Sequence, residues 1–446
     1  MNYMDILFIV LTSIAGLTIL LLLFLLFWQF LGVFGGLRKP KEFPKAKSLR
    51  KFALIIPAHN EAVVIGNTVE NLLTNLDYPK DLYDVFVCAD NCTDNTKELA
   101  MKAGAKVYER FDDNPDHKRA SFPIKLLIDK VLEREENYDA IIKFDADNIP
   151  SRNYLQAMND ALESGLEIAR AHEAPTNMGQ NVWTSVSACY YCRDSRLMSN
   201  FRERHNWNSM LSGAGMMVST RVLKEIGGWD AMGQIDDAEF TVNRLLEKKR
   251  VGYVPNAIVY EDQPSSRKDS AARNSRMANG LNKLYWSKSM KLLGMFFKTG
   301  KATYLDLWSQ LTFVQIPILI AIVIPVYVVF YFTTLILEMC GIRLYGVLFQ
   351  GENAPLIAMI ALLAGGVAAL LFYYFFFTLQ SAIAVSKDKD VLGPDYKKNA
   401  RKGIWLGAVA MFAYMGSINS GVTKKKVAWK ELKRNAPTEK KEEKEN

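Results

Sequence analysis

Tyr138-Asp139-Ala140-Ile141-Ile142-Lys143-Phe144 is short, apolar and rich in β-branched and aromatic residues, and it runs straight into Asp145-Ala146-Asp147. That composition predicts a buried strand. Two carboxylates one residue apart at a strand's C-terminal end suit a hard divalent cation. Mg²⁺ and Mn²⁺ take oxygen ligands and share them with substrate phosphates. Alone, the tripeptide also reads as two solvated loop aspartates, so its surroundings decide between the two.

Outward from that strand, residues 52–279 alternate strand and helix patterns, which predicts a doubly wound α/β sheet. Phe52-Ala53-Leu54-Ile55-Ile56 leads into Pro57-Ala58-His59-Asn60-Glu61 and a helix. Asp84-Val85-Phe86-Val87-Cys88 ends in Ala89-Asp90-Asn91-Cys92-Thr93-Asp94-Asn95-Thr96 and another helix. Lys106-Val107-Tyr108 gives a third strand, followed by a polar loop and a helix from about Ala120. Ligands of such sheets collect at the carboxyl ends of the strands. Glu61, Asp90 and Asp145 all fall there, so a nucleotide site is expected on that edge.

The chain, 446 residues long, has room for one sizeable soluble domain and a membrane region. Residues 6–34, 313–337 and 356–384 are apolar runs, and a bilayer core takes about 20 helical residues. The first is too long for a signal peptide and lacks a basic start. Arg38, Lys39, Lys41, Lys45, Lys47, Arg50 and Lys51 follow it, while only Asp5 precedes it, which puts the N-terminus outside and residue 38 onward in the cytoplasm. Loop 338–355 carries one basic residue, Arg343, and is expected outside; Lys387, Lys389, Lys397, Lys398, Arg401 and Lys402 return the chain to the cytoplasm. Residues 403–422 have basic flanks and the polar Ser417, Asn419 and Ser420, so they read as an interfacial or re-entrant helix, with a fourth span as the alternative. Residues 282–304 alternate lysines with Leu, Trp, Met and Phe, the pattern of an amphipathic helix on anionic membrane lipids.

The expected organisation is a membrane helix (1–37), a cytoplasmic α/β domain (38–281), an interfacial helix (282–304) and two membrane helices (305–386). A cytoplasmic loop with the interfacial helix (387–434) and a disordered Lys/Glu-rich tail (435–446) complete it. The formal charge of +8 is accounted for by membrane-flanking lysines, which removes the main support for a nucleic-acid partner. Cys189-Tyr190-Tyr191-Cys192 is a CxxC without a second pair, so it reads as a helix with buried thiols rather than a zinc site. His59 reads as a turn residue.

Several of these segments resemble the family 2 glycosyltransferases, in the same order along the chain. Leu54 to Glu61, including Pro57, resembles their opening strand, and Asp90 to Thr96 their second strand end, whose first aspartate faces the uracil of a UDP-sugar. His117-Lys118-Arg119-Ala120 is similar to their "GKA" step, with His in place of Gly; Lys118 is then the phosphate-side cation. Asp145 and Asp147 take the place of the metal-binding DxD. Ser212-Gly213-Ala214-Gly215 is similar to the small-residue turn on the acceptor side, and Gly227-Gly228-Trp229-Asp230 also recurs in the family. Ile235-Asp236-Asp237-Ala238-Glu239-Phe240 matches the "TED-x-EF" segment and makes Asp237 the catalytic base. Arg273-Asn274-Ser275-Arg276-Met277 stands where "QxxRW" is expected: Arg276 is kept, while Arg273 and Met277 replace the glutamine and tryptophan that hold the acceptor sugar. Met277 is apolar but not flat.

The resemblance implies a GT-A domain and a multi-pass plasma-membrane enzyme using UDP-sugar with Mg²⁺ or Mn²⁺. It resembles processive polysaccharide synthases, so the leading expectation is extension of an exported β-glycan, possible export partners included. Transfer of one sugar to a lipid or lipid-linked glycan is the alternative. Asp236, Asp237 and Glu239 also read as acids that start a helix, Arg276 also as a headgroup-pairing arginine. A transporter or membrane scaffold with a degenerate soluble domain is the reading from another class. It predicts that Asp147→Ala leaves function intact.

Overall fold

The computed structural model describes residues 3–346, 348 and 353–424; the expected charged tail 435–446 lies outside them. After helix α1 (Tyr3–Leu37), the chain builds β1 (Phe52–Ala58), α2 (Ile65–Thr74), β2 (Tyr83–Asp90), α3 (Thr96–Lys102), β3 (Lys106–Arg110), α4 (Ser121–Leu132) and β4 (Ala140–Lys143). Then come β5 (Ile149–Pro150), α5 (Tyr154–Glu163), β6 (Ile168–Pro175), α6 (Val182–Cys192), α7 (Asn200–Arg204), β7 (Met216–Ser219), α8 (Thr220–Glu225), α9 (Asp236–Leu246) and β8 (Gly252–Glu261). The sheet order is β3-β2-β1-β4-β7-β6-β8-β5. Strands β3, β2, β1 and β4 are parallel, as a doubly wound sheet requires. Beyond β4 the sheet turns mixed, because β7 pairs antiparallel with both β4 and β6. Every residue of β1 from Phe52 to Ile56 is fully buried, since apolar clusters cover both faces of this central strand.

The turn entering β7 depends on Gly215. Its φ is +67°, its N–H donates to the Lys143 carbonyl at 2.8 Å, and its carbonyl accepts the Tyr154 hydroxyl at 2.5 Å. A Cβ there would stand 2.5 Å from Val259 Cγ2 and 2.8 Å from Tyr154 Oη. Gly215→Ala is therefore expected to cost about 3 kcal/mol, from backbone strain and overpacking together. Thermal unfolding in detergent checks this; an unchanged midpoint contradicts it.

Helix α10 (Arg267–Thr299) is longer than the sequence pattern anticipates, and the expected boundary at 281/282 falls inside it. Ser266 starts it by accepting the Asp269 N–H at 3.1 Å, and no proline interrupts it before Gly300, at φ +65°, ends it. The Lys-rich segment is thus the second part of a continuous helix. There Trp286, Met290 and Phe297 point outward, 75%, 74% and 80% exposed. Helices α11 (Ala302–Thr312), α12 (Ile316–Met339), α13 (Ala354–Lys387) and α14 (Lys397–Thr423) follow.

Among the described residues, α1, α12 and α13 are long and apolar enough to cross a membrane. The last turns of α1 pack instead on the soluble domain: a Cβ at Gly35 would lie 2.4 Å from the Leu197 carbonyl oxygen. Trp28 Nε1 donates to Asp306 at 2.7 Å, and the other Asp306 oxygen accepts from Arg202 at 2.8 Å, all on a buried carboxylate. Helix α14 lies back across the domain, with Gly403 against Ser185 of α6 and Gly421 against Ser275 of α10. The Asn279 amide donates to the Gly421 carbonyl at 2.9 Å. Cys189 and Cys192 are buried in α6, packed against Leu197 and Val385.

Candidate active site

Lys143 is the one charge in the otherwise apolar β4, and its side chain is only 7% exposed. Its Nζ donates to Asp145 Oδ1 at 2.5 Å. Burial alone would lower its pKa, but Asp145, Asp236 and Asp237 beside it outweigh that and raise it. The Ser212–Gly215 turn crosses directly above. A Cβ on Gly213 would sit 2.8 Å from Lys143 Nζ, 3.6 Å from Asp145 Oδ2 and 3.9 Å from Asp237 Oδ2. Asp145, Gly213 and Asp237 therefore face one small space. Asp145 is held by its own turn, since its N–H donates to Asn148 Oδ1 at 2.9 Å.

Asp237 comes from the first turn of α9, where its carboxylate accepts the N–H of Ala238 at 2.7 Å and that of Gly213. Burial raises its pKa, and it pushes that of its neighbour Asp236, also shielded from water, up to about 7. The helix is anchored behind the site: Trp229 stacks on Phe240 with centroids 4.4 Å apart, and Arg244 pairs with Asp230 at 2.6 Å. Glu239 has a structural contact, accepting the Gly233 N–H at 2.7 Å. Any methyl at Gly213 must displace Lys143 and with it Asp145. Gly213→Ala is expected to cut turnover by roughly 10²-fold through misplacement alone; a rate within a few fold of the parent would contradict the geometry.

The strand edge continues through the other sequence-predicted residues. Pro57 stands in register with Cys88, and the Glu61 carbonyl starts the turn into α2. Asp90 is buried and accepts Arg110 Nη1 at 2.5 Å, a cross-strand partner in direct register. His59 Nδ1 donates to the Asp90 carbonyl at 2.6 Å, which makes it a turn residue. Lys118 stands exposed on the loop before α4.

On the other side, Arg273 and Arg276 lie one turn apart on α10, with half-buried Met277 next to them. Burial and the neighbouring Arg273 lower the Arg276 pKa, while Asp145 and Asp237 act against them. Arg273 donates to Gln263 at 3.1 Å and its guanidinium lies 5.4 Å from the Tyr191 ring. Glu261, at the end of β8, is pushed up to about 8 by burial with Glu173 and Asp147 nearby. Ala214 is buried in the turn.

Lys143, Arg110, Tyr191, Glu173 and Glu261 escaped the sequence reading. Only Lys143 left a local trace, as a charge inside an apolar strand. The others come from strand register and from α6, whose CxxC gave no sign of the site.

Residues 50–280 match the family described as "Glycosyltransferase like family 2", just over half of the chain. The chain belongs to this family. It is 26% identical over 281 residues to the probable glycosyltransferase YdaM of Bacillus subtilis, covering 58% of this chain and 61% of that protein. It is 27% identical over 210 residues to a beta-monoglucosyldiacylglycerol synthase of Synechocystis, covering 47% of this chain and 43% of the relative. A UDP-forming cellulose synthase catalytic subunit of Pseudomonas fluorescens matches at 26% over 275 residues, 59% of this chain and 34% of that one. The chain thus spans less than two thirds of the length of these relatives. A mannosyltransferase, PcManGT, from Pyrobaculum calidifontis, solved with GDP-Man and Mn²⁺, shares the fold, with a TM-score of 0.53 at 16% identity over 86% of this chain and 98% of that one. The mixed eight-stranded sheet of this family member is of GT-A type.

Proposed function

We propose that this family member transfers one sugar, with inversion, from a UDP-sugar to an acceptor hydroxyl at the cytoplasmic face of a membrane. The observation that carries the reading is the meeting of Asp145, Lys143, Gly213 and Asp237 at the carboxyl edge of the sheet. Asp237 serves as the base: its carboxylate takes the acceptor proton as the acceptor oxygen bonds to the anomeric carbon. The bond from that carbon to the diphosphate oxygen breaks, and its electron pair leaves with UDP. One base on the face opposite the leaving group gives a single displacement, hence a β-linkage from an α-linked donor.

Asp90 with Arg110 is the reading for the base end of the donor, and Pro57 and Glu61 line the same edge. Lys118 and Arg276 supply fixed positive charge for the diphosphate, Lys118 from the loop before α4. Asp147 and Asp145 suit Mg²⁺ or Mn²⁺, because both bring carboxylate oxygens and both are half-buried at the strand's end. Such an ion supplies positive charge to the β-phosphate oxygens.

Transfer to a lipid is favoured over extension of an exported glycan by where the polar membrane-side residues go. A glycan path needs free polar walls. Gln310 donates to Asp306 at 2.9 Å, Gln315 to Asn282 at 2.8 Å, and Gln380 accepts from Arg193 while donating to the Gln29 carbonyl at 3.0 Å. These glutamines bind helices to the domain. Polymer extension is the second reading, supported by Arg276, which the resemblance to polysaccharide synthases keeps.

The purified chain, given UDP-sugars with Mn²⁺ or Mg²⁺, is expected to release UDP with one donor and to add one sugar per acceptor. Chelation should abolish turnover and added Mn²⁺ restore it. A ladder of products would favour polymer extension; absence of turnover with every nucleotide sugar would remove the transferase reading.

A further inference from the structure

Lys143 sits where the strand pattern calls for an apolar residue. Its neighbours in register are Ile55 of β1 and Met216 of β7, both buried, and an ammonium among them is costly unless it is paired. The partner is Asp145, with Nζ and Oδ1 2.5 Å apart. The same residue fixes the opposite wall of the site. Its carbonyl accepts the Gly215 N–H at 2.8 Å, and its Nζ lies 2.8 Å from the position that a Cβ on Gly213 would take. The side chain is too enclosed to reach a substrate, so Lys143 acts on the site through Asp145 and through its charge.

We propose that Lys143 is a positioning residue that keeps the protein's own hold on the metal ion weak, so that the ion enters and leaves with the nucleotide diphosphate. The inference rests on the transferase reading above and assigns the metal dependence of that site. Two observations meet in it. Among the described residues, no group of three or more His, Cys, Asp or Glu side chains is arranged to hold a metal ion, so Asp145 and Asp147 stand without a third such ligand. The ion pair with Lys143 then offsets the charge of one of these two carboxylates.

Diphosphate oxygens bring the negative charge and the further ligands that the protein withholds. A dication held at Asp145 and Asp147 stands close to the buried ammonium, and their repulsion in a poorly solvated site lowers affinity by a factor of ~10. Removing the ammonium isolates that effect, because Arg273, Arg276 and the other acids of the site are the same before and after. Methionine at 143 suits the apolar strand. Asp145, whose side chain is 44% exposed, can then turn to water, so the fold does not depend on the pair.

The test uses the full chain in detergent and follows free Mn²⁺ by its EPR signal, with and without UDP and with no sugar donor present. The parent is expected to bind Mn²⁺ ~10-fold more tightly with UDP than without it. Lys143→Met should bind Mn²⁺ alone ~10-fold more tightly than the parent. In turnover its KM for Mn²⁺ should fall while kcat also falls, since Asp145 is no longer held in place. Asp145→Asn should weaken Mn²⁺ binding, and adding Lys143→Met to it should bring affinity back to within about threefold of the parent, because the two charge changes cancel. That last comparison reads the Lys143 charge even if Lys143→Met alone does not fold. Unchanged or weaker Mn²⁺ binding in folded Lys143→Met, a double variant as weak as Asp145→Asn, or a parent that holds Mn²⁺ equally well without UDP overturns the proposal and leaves the transferase reading standing. Failure of the parent to bind UDP or to turn over any nucleotide sugar overturns that reading instead, and this one with it.

Discussion

Asp237→Asn is expected to lower kcat by roughly 10²–10⁴, the range for removing a general base. Asparagine has the same shape and keeps a carbonyl oxygen for the N–H groups of Ala238 and Gly213, so α9 and the Gly213 turn stay in place. It cannot take a proton. The KM for UDP-sugar should therefore stay within a few fold while UDP release with acceptor collapses. This separates two readings of the same residue. An acid that only starts α9 would be replaced by asparagine at little cost, because asparagine also serves helix N-termini. Near-normal turnover in Asp237→Asn would assign Asp237 to the helix and send the search for the base elsewhere. Glu239→Gln is the companion measurement: its contact to the Gly233 N–H survives as a carbonyl, and activity should change little.

Asp306→Ala is expected to cost about 3 kcal/mol or more, the usual result of removing one partner of a buried ion pair. Asp306 is 1% exposed, and its two oxygens take up Trp28 of α1 and Arg202 of α7. Without it, the Arg202 guanidinium is left buried with Asp194 at 3.9 Å as its nearest carboxylate. The stacked pair of Trp28 and Trp207, centroids 5.6 Å apart, loses its anchor. Thermal unfolding in detergent, followed by tryptophan fluorescence, should show a clear drop in midpoint. Asp306→Leu combined with Arg202→Met should recover much of it, since apolar replacement of a whole buried pair is often neutral. A single variant that melts with the parent would mean that α1 and α11 are not coupled through this carboxylate.

Much of the fold could be read along the chain. The first four strands follow from apolar runs that end in polar turns, and the structure puts them side by side in parallel. The three long apolar helices follow from length and hydropathy alone. The second half of the sheet was harder: β6 reads Ile-Ala-Arg-Ala-His-Glu-Ala-Pro, with Arg170, His172 and Glu173 all buried. Such a strand lacks an apolar signature because its charges are matched by partners elsewhere, Asp194 for Arg170 and Tyr253 for His172. The continuity of α10 went unseen for the opposite reason. The change from a polar to an amphipathic pattern near Asn282 looks like an element boundary, yet the backbone continues because nothing there breaks a helix.

The candidate site divides in the same way. Asp145, Asp147, Gly213, Asp237 and Arg276 were visible as motifs, because each sits in a short segment whose spacing is a local property. Their meeting was not visible. Lys143 became the centre of the acidic group only once the Gly213 turn and the start of α9 were packed over the end of β4. Arg110 became the partner of Asp90 through strand register, and Tyr191 reached Arg273 because α6 and α10 lie side by side beneath α14. Periodicity, spacing and turn chemistry are written residue by residue, so strand ends, spans and the order of the motifs followed from the sequence by itself. Which charges neutralise one another, and which apolar faces stay exposed, are set by contacts between distant segments, and only the tertiary structure decided them.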